Sequence, residues 1–100
     1  MLNIKKSTYG NYSSDNYGAH AMRIDVGFLT LWFSYDTVVA FAVFAVIDNG
    51  WHKYVSENNW GPTTGKHLNA IDDGNKRNRM KRSDFEAALE AVLKAHSLSI

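Results

Sequence analysis

Histidine is the side chain best suited to bind a metal or transfer a proton near neutral pH, and this chain has His20, His52, His67 and His96. No two of them lie three or four residues apart, the spacing that places two ligands on one helical face. Asp72 follows His67 by five residues and shares its face poorly. The chain has no cysteine, and no serine lies in a Gly-x-Ser-x-Gly motif. We therefore expect no metal site, no cofactor and no enzymatic activity.

Residues 61–67, Gly-Pro-Thr-Thr-Gly-Lys-His, have some of the pattern of a phosphate-binding loop. Such a loop has four residues between its glycines, and a serine or threonine after the lysine contacts the metal ion. Here three residues separate Gly61 from Gly65, and His67 follows Lys66. The segment therefore predicts the capped start of a helix and not a nucleotide site.

Positive charge is concentrated in residues 76–82, which hold Lys76, Arg77, Arg79, Lys81 and Arg82. The rest of the chain carries six positive and ten negative charges, so it is mildly acidic. Cations at this density could neutralise phosphates and bind nucleic acid in a salt-dependent way. No aromatic residue interleaves with them, and no known nucleic-acid-binding motif surrounds them. A solvated loop, a nucleic-acid site and a contact with an acidic protein surface are the three alternatives.

Most of the chain that positions the histidines and the cations has the hydropathy pattern of β-strands. Residues 19–26 and 28–35 alternate in hydropathy with a period of two. An uninterrupted apolar run at residues 38–47 ends at Asp-Asn-Gly, and Asn-Gly favours a two-residue hairpin turn. The run therefore predicts a central strand buried on both faces, and residues 51–57 predict the strand after it. We predict a four-stranded antiparallel sheet, largely a meander.

Two helices complete the predicted α+β fold, packed on the sheet. The first spans about residues 64–73. The second begins at Ser83, whose spacing to Glu86 is that of a capping box. Residues 1–18 are polar and rich in Ser, Asn, Gly and Tyr, which predicts an irregular N-terminal arm. The length of 100 residues is that of a single domain.

Aromatic residues form the candidate binding surface. Phe28 and Trp32 fall on the face of their strand that alternation assigns to solvent, so the arm, a helix or a partner must cover them. The tyrosines and asparagines of the arm are residue types that interfaces favour. We predict a protein-binding surface of Tyr12, Asn16, Tyr17, Trp32 and Trp60. Self-association through these aromatic residues is a further alternative.

The sequence also predicts a location. Residues 1–18 lack the apolar core of a signal peptide. The apolar run at residues 38–47 is too short for a membrane-spanning helix, which needs about 20 residues. The absence of cysteine fits a reducing compartment. We expect a cytoplasmic protein with no membrane partner.

Residues 13–21, 31–41 and 60–69 resemble small uncharacterised proteins encoded by bacteriophages and related mobile elements. The resemblance covers most of residues 13–70 and assigns no role to any residue. It implies an accessory protein that binds a host protein in the cytoplasm of a bacterial host, and inhibition of a defence system is one such role. Nucleic-acid binding through residues 76–82 is the alternative function.

Overall fold

A computed structural model describes residues 4–10 and 19–95. Within these residues, five antiparallel strands form one sheet in the order of the chain. The strands are β1 (Ile4–Thr8), β2 (Ala21–Val26), β3 (Leu29–Ser34), β4 (Thr37–Ala45) and β5 (Gly50–Val55). The α-helices of the described residues are α1 (Pro62–Asp72) and α2 (Arg82–Ala95), and 3₁₀ turns lie at Val46–Asp48 and Lys76–Asn78. The predicted α+β class with an antiparallel sheet is confirmed.

The predicted number of four strands is wrong, because Ile4–Thr8 adds a strand within the supposed irregular arm. β1 pairs with β2 along its whole length, with Ile4 opposite Val26. Alternation of apolar and polar residues marks a strand with one buried face. Four of the five residues of β1 are exposed, so its sequence lacks that pattern. Backbone pairing with β2 forms this strand without side-chain burial. Residues 11–18 of the predicted arm lie outside the described residues.

β4 is an inner strand between β3 and β5, not the middle strand of the five, and it is buried on both faces over residues 38–42, as predicted. A bulge decides which side chain faces which way. Trp32 of β3 pairs with Ala40 and Phe33 pairs with Val38, which leaves Val39 as an extra residue on β4. Val39 and Ala40 therefore face the same side of the sheet although they are consecutive.

Each face of the sheet is covered by one of the described helices. α2 packs on one face, in a buried cluster of Leu29, Leu31, Val38, Phe41, Phe85 and Leu89. α1 packs on the opposite face, in a buried cluster of Val39, Ala40, Val55, Leu68 and Ile71. The described residues thus form three layers, helix on sheet on helix.

The predicted strand at residues 38–47 is confirmed only as far as Ala45. Val46 and Ile47 leave the sheet in a 3₁₀ turn and are exposed. The loop from Val46 to Asn49 has four residues, not the predicted two, because the last pair between the two strands is Ala45 with Gly50. Asn49 adopts the left-handed conformation, with φ of 52°, where the loop returns to the sheet.

Both described helices begin earlier than predicted. α1 begins at Pro62, with Gly61 as its N-cap. α2 begins at Arg82, one residue before Ser83, so the predicted capping box is wrong. The backbone N–H of Arg82 instead donates to the Glu57 carboxylate at 3.1 Å, which means that a distant loop residue replaces the local cap. No described helix is long and apolar enough to cross a membrane.

Replacing Phe41 with alanine tests the double-sided core. Phe41 is fully buried, and its ring lies 4.9 Å from that of Tyr54 and 5.5 Å from that of Phe85. Because the substitution leaves a cavity, we expect Phe41→Ala to lower the free energy of unfolding by about 3–5 kcal/mol in urea denaturation. The control Val46→Ala, in the exposed loop, should change it by less than about 0.5 kcal/mol. Equal effects of the two variants would contradict this placement of the core.

Candidate functional site

Large apolar side chains gather at one end of the sheet, where four are exposed to solvent and a fifth, Phe44, is partly buried. They are Phe28, Phe44, Val46, Ile47 and Trp51, which we name the sheet-end patch. The exposed fraction is 60% for Phe28, 78% for Val46, 98% for Ile47 and 52% for Trp51. Apolar side chains exposed together, unlike scattered single ones, are typical of binding surfaces.

The strand register holds three rings of the patch in a row. Phe44 pairs with Trp51 across β4 and β5, and their ring centroids lie 5.6 Å apart. The backbone N–H of Phe44 donates to the carbonyl oxygen of Phe28 at 2.9 Å, and these two rings stack at 5.5 Å. Gly27 has φ of 58° in the β2–β3 turn that presents Phe28. Backbone hydrogen bonds between the strands therefore set the positions of these three rings.

A depression of about 490 Å³ adjoins the sheet-end patch on the α1 face of the sheet. The residues that line it include Arg23, Asp25, Thr30, Trp32, Trp51 and Lys53. Trp51 belongs to both the depression and the patch. The apolar sheet-end patch and the more polar depression therefore form one continuous surface.

The polar groups of the depression are bonded to one another. The Arg23 guanidinium pairs with the Asp25 carboxylate at 3.1 Å and lies 5.4 Å from the centre of the Trp32 ring. The Thr30 hydroxyl donates to Asp25 at 2.6 Å. Burial raises the pKa of Asp25, but the hydrogen bonds from Arg23 and Thr30 outweigh it and hold that pKa below its usual value. This carboxylate therefore lacks the raised pKa that suits a general base.

Arg79, one of the predicted nucleic-acid-binding residues, lies inside the fold. Its Nε donates to the Asp72 carboxylate at 2.8 Å, and the exposed fractions of the two side chains are 5% and 9%. A second nitrogen donates to Asn69 at 3.0 Å. Burial raises the pKa of Asp72, but the hydrogen bonds and charge of Arg79 outweigh it and keep that pKa below its usual value. This buried ion pair joins α1 to the segment before α2.

Arg82 is also held by its neighbours. Its guanidinium donates to the Val38 carbonyl oxygen at 2.8 Å and to Glu86 at 2.8 Å. The same group lies 5.0 Å from the Trp60 ring centre and 4.9 Å from that of Phe85. The other cations of the predicted nucleic-acid site are exposed: Lys76, Arg77 and Lys81. The surface of residues 76–82 thus offers fewer free cations than its sequence implies.

The structure describes two members of the predicted protein-binding surface, and these two contact different arginines. Trp32 is partly buried under Arg23 in the depression, whereas Trp60 lies beside Arg82. No ring contact links the two tryptophans among the described residues. The remaining predicted members lie outside those residues: Tyr12, Asn16 and Tyr17.

The sequence prediction missed most of the sheet-end patch. It placed Val46 and Ile47 inside a buried strand, because their apolar character continues that of β4. The one signal that pointed here was Phe28 on a face assigned to solvent, and the structure shows this ring largely exposed.

A serine and a histidine meet inside the fold. His67 is fully buried, and its Nδ1 lies 2.7 Å from Ser34 Oγ, which is 2.9 Å from Thr64 Oγ1. Such a pair can activate serine as a nucleophile, but here both residues are closed to solvent and join α1 to β3. Sequence reasoning could not pair residues so distant in the chain. No group of three or more His, Cys, Asp or Glu that could hold a metal ion occurs in residues 4–10 and 19–95.

Comparison with known proteins identifies a family but no activity. The model of a family described as "Family of unknown function (DUF8033)" matches residues 1–87. No curated protein matches the chain, and no solved structure matches it. Function therefore has to be inferred from the geometry of the site.

Replacing Arg79 with alanine tests the buried ion pair. The change removes the guanidinium that pairs with the nearly buried Asp72 carboxylate, which keeps, among the described residues, only the hydrogen bond from the Gly74 N–H and the charge of Lys53. We therefore expect the free energy of unfolding to fall by about 3 kcal/mol in urea denaturation. Arg77→Ala is the matched control, two residues away and exposed, and should change it by less than about 0.5 kcal/mol. Similar values for the two variants would contradict a structural role for Arg79.

Lowering the pH tests the same pair through Asp72. Its pKa is lower in the folded protein than the ordinary 3.8, so its contribution to stability is complete above that value. The contribution is lost as the pH falls through the folded pKa. We expect the melting temperature of the wild type to fall more steeply below about pH 4 than that of Asp72→Asn. Asp73→Asn, an exposed control, should follow the wild type, and parallel curves for all three would contradict this assignment.

Proposed function

Because that family model spans residues 1–87, the chain belongs to a family of unknown function, and we propose that it is a non-enzymatic protein-binding domain. The observation that carries the proposal is the sheet-end patch. Its most exposed members, Ile47 and Val46, lie in the loop between β4 and β5, which carry the contacting rings of Phe44 and Trp51. A partner that covers the patch removes this apolar area from water, which favours association.

The architecture of the patch suits an anchor for a partner. Aromatic side chains on a rigid support supply most of the binding energy at many interfaces, because little conformational entropy is lost when they are buried. Phe28, Phe44 and Trp51 are held in contact with one another before any partner arrives. The adjoining depression widens the surface and provides the polar groups of Arg23 and Lys53 at its margin.

The chemistry of the described polar groups supports binding over catalysis. Asp25 is bonded to Arg23 and Thr30, and Ser34 and His67 are buried. A catalytic group has to reach a substrate, and these side chains are committed to contacts within the fold.

The resemblance to bacteriophage and mobile-element proteins suggests the partner. On that ground we propose a host protein in a bacterial cytoplasm, with a component of a defence system as the narrower form of the proposal. Nucleic-acid binding through Lys76, Arg77 and Lys81 is the competing hypothesis, and pairing of two copies through the patch is another. Variants of the patch and of the cations separate all three.

Two substitutions in the sheet-end patch test the proposal. The double variant Ile47→Asp/Trp51→Ala removes one anchor and places a charge in the interface, while both positions are exposed enough to leave the fold intact. We expect the affinity for a partner protein, captured from a lysate of the bacterial host in the presence of nuclease, to fall at least about 30-fold. Titration of the purified partner measures this change, and thermal melting checks the fold.

The matched control is the triple variant Lys76→Ala/Arg77→Ala/Lys81→Ala, which removes exposed cations and leaves Arg79 and Arg82 in place. It should bind the partner as the wild type does. Capture that is lost on nuclease treatment, falls steeply between about 50 and 200 mM salt and disappears in the triple variant would favour nucleic acid instead. A wild type that forms dimers broken by the patch variant would favour self-association.

A further inference from the structure

We infer that the open edge of β5 binds an extended segment of the partner as an additional strand, next to the sheet-end patch. The inference rests on the proposed protein-binding function and specifies how the partner is held. β5 is the last strand of the described sheet and pairs with β4 on one side only. Its other side is an edge at which another chain can form backbone hydrogen bonds.

The register shows which backbone groups of β5 face outward. Ser56 donates its N–H to Val39 of β4, whereas the carbonyl oxygen of Val55 accepts a bond from outside the sheet. Because direction alternates along a strand, the N–H and C=O groups of Trp51 and Lys53 also face outward. Neither residue has a backbone partner on that side among residues 4–10 and 19–95. An added strand would satisfy these groups.

The protein already pairs with the far end of this edge. Met80, in the segment before α2, forms a parallel bridge opposite Ser56. Its N–H donates to the Val55 carbonyl oxygen at 2.8 Å, and its carbonyl oxygen accepts the N–H of Glu57 at 2.8 Å. The edge therefore already forms backbone hydrogen bonds with one extended residue from outside the sheet, and this contact ends at Val55, two residues from Lys53. An external segment beside Trp51 and Lys53 would continue the same line.

The side chains of β5 favour its edge over that of β1. Exposed lysines at an edge hinder pairing with another chain, and β1 has Lys5 and Lys6, both exposed. On β5, Lys53 is also exposed, but its ammonium donates to the Ile71 carbonyl oxygen at 2.7 Å, which holds it against α1. Trp51 then offers an apolar contact to alternate side chains of the added strand. The fitting occupant is a proline-free extended segment with an aromatic or β-branched residue at Trp51.

Short random peptides displayed in a library provide the probe. The library is panned against the intact protein, and the enriched sequences are synthesised as free peptides. We expect them to lack proline, to alternate in hydropathy and to slow amide hydrogen exchange at Trp51 and Lys53 at least about tenfold in NMR spectra. This measurement needs no variant.

A matched pair of variants isolates the backbone contact. Lys53→Ala removes the ammonium and keeps the outward N–H, whereas Lys53→Pro removes both. We expect Lys53→Pro to bind the peptides about tenfold more weakly than Lys53→Ala, because it forms one hydrogen bond fewer with the bound peptide. Lys6 occupies an outward position on β1, so Lys6→Pro and Lys6→Ala should bind equally.

Three results would overturn strand addition at β5: no enriched peptide, peptides that leave exchange at Trp51 and Lys53 unchanged, or equal binding by the two Lys53 variants. The proposal would also be overturned if the amides of Trp51 and Lys53 exchanged more slowly as the concentration of the free protein was raised. A second copy of the chain would then occupy the edge. None of these results contradicts the protein-binding function, provided that the Ile47→Asp/Trp51→Ala variant fails to bind the partner protein. The failures of the two proposals are therefore distinguishable.

Discussion

The double-sided burial of β4 is the constraint on which the rest of the structure depends. A strand in uniform register would place Val38 and Ala40 on one face and Val39 and Phe41 on the other. The bulge at Val39 changes this arrangement. Val38 and Phe41 meet α2, while Val39 and Ala40 meet α1, so each helix contacts two closely placed side chains of the same strand. Both helices are therefore secured to the same strand of the sheet.

The segment between α1 and α2 is secured by charge. Arg79 pairs with Asp72 at the end of α1. Arg82, in the first turn of α2, donates to the Val38 carbonyl oxygen of β4. Between them, Met80 pairs with the end of β5. A run of cations that resembles a nucleic-acid site by composition thus contributes two of its members to tertiary structure. Because the Arg79 and Asp72 side chains are nearly buried, we expect that ion pair to affect stability more than surface pairs such as Lys94–Glu90.

The exposed end of the sheet contrasts with its covered middle. Phe41 and Leu68 are fully buried by the helices, whereas Ile47 and Phe28 lie beyond their reach. Phe28 is nonetheless held in place, because Phe44 contacts its ring, contacts the Trp51 ring on its other side and donates its backbone N–H to the Phe28 carbonyl oxygen. An apolar surface whose rings are in mutual contact and open to solvent favours an external partner. The edge of β5, which has no backbone partner at Trp51 and Lys53 among the described residues, favours a partner segment that is extended.

The sequence by itself determined the α+β class, the strand buried on both faces and the approximate position of both helices, because hydropathy periodicity reports which faces are buried. It could not reveal β1, whose polar residues are held by backbone pairing alone, nor the start of α2, where Glu57 replaces a local cap. It assigned the cations to a solvated or binding segment, since charge pattern does not show which arginine finds a distant carboxylate. The sheet-end patch was likewise decided by tertiary structure: Val46 and Ile47 are as apolar as the residues before them, and only the positions of the helices and the loop leave them exposed.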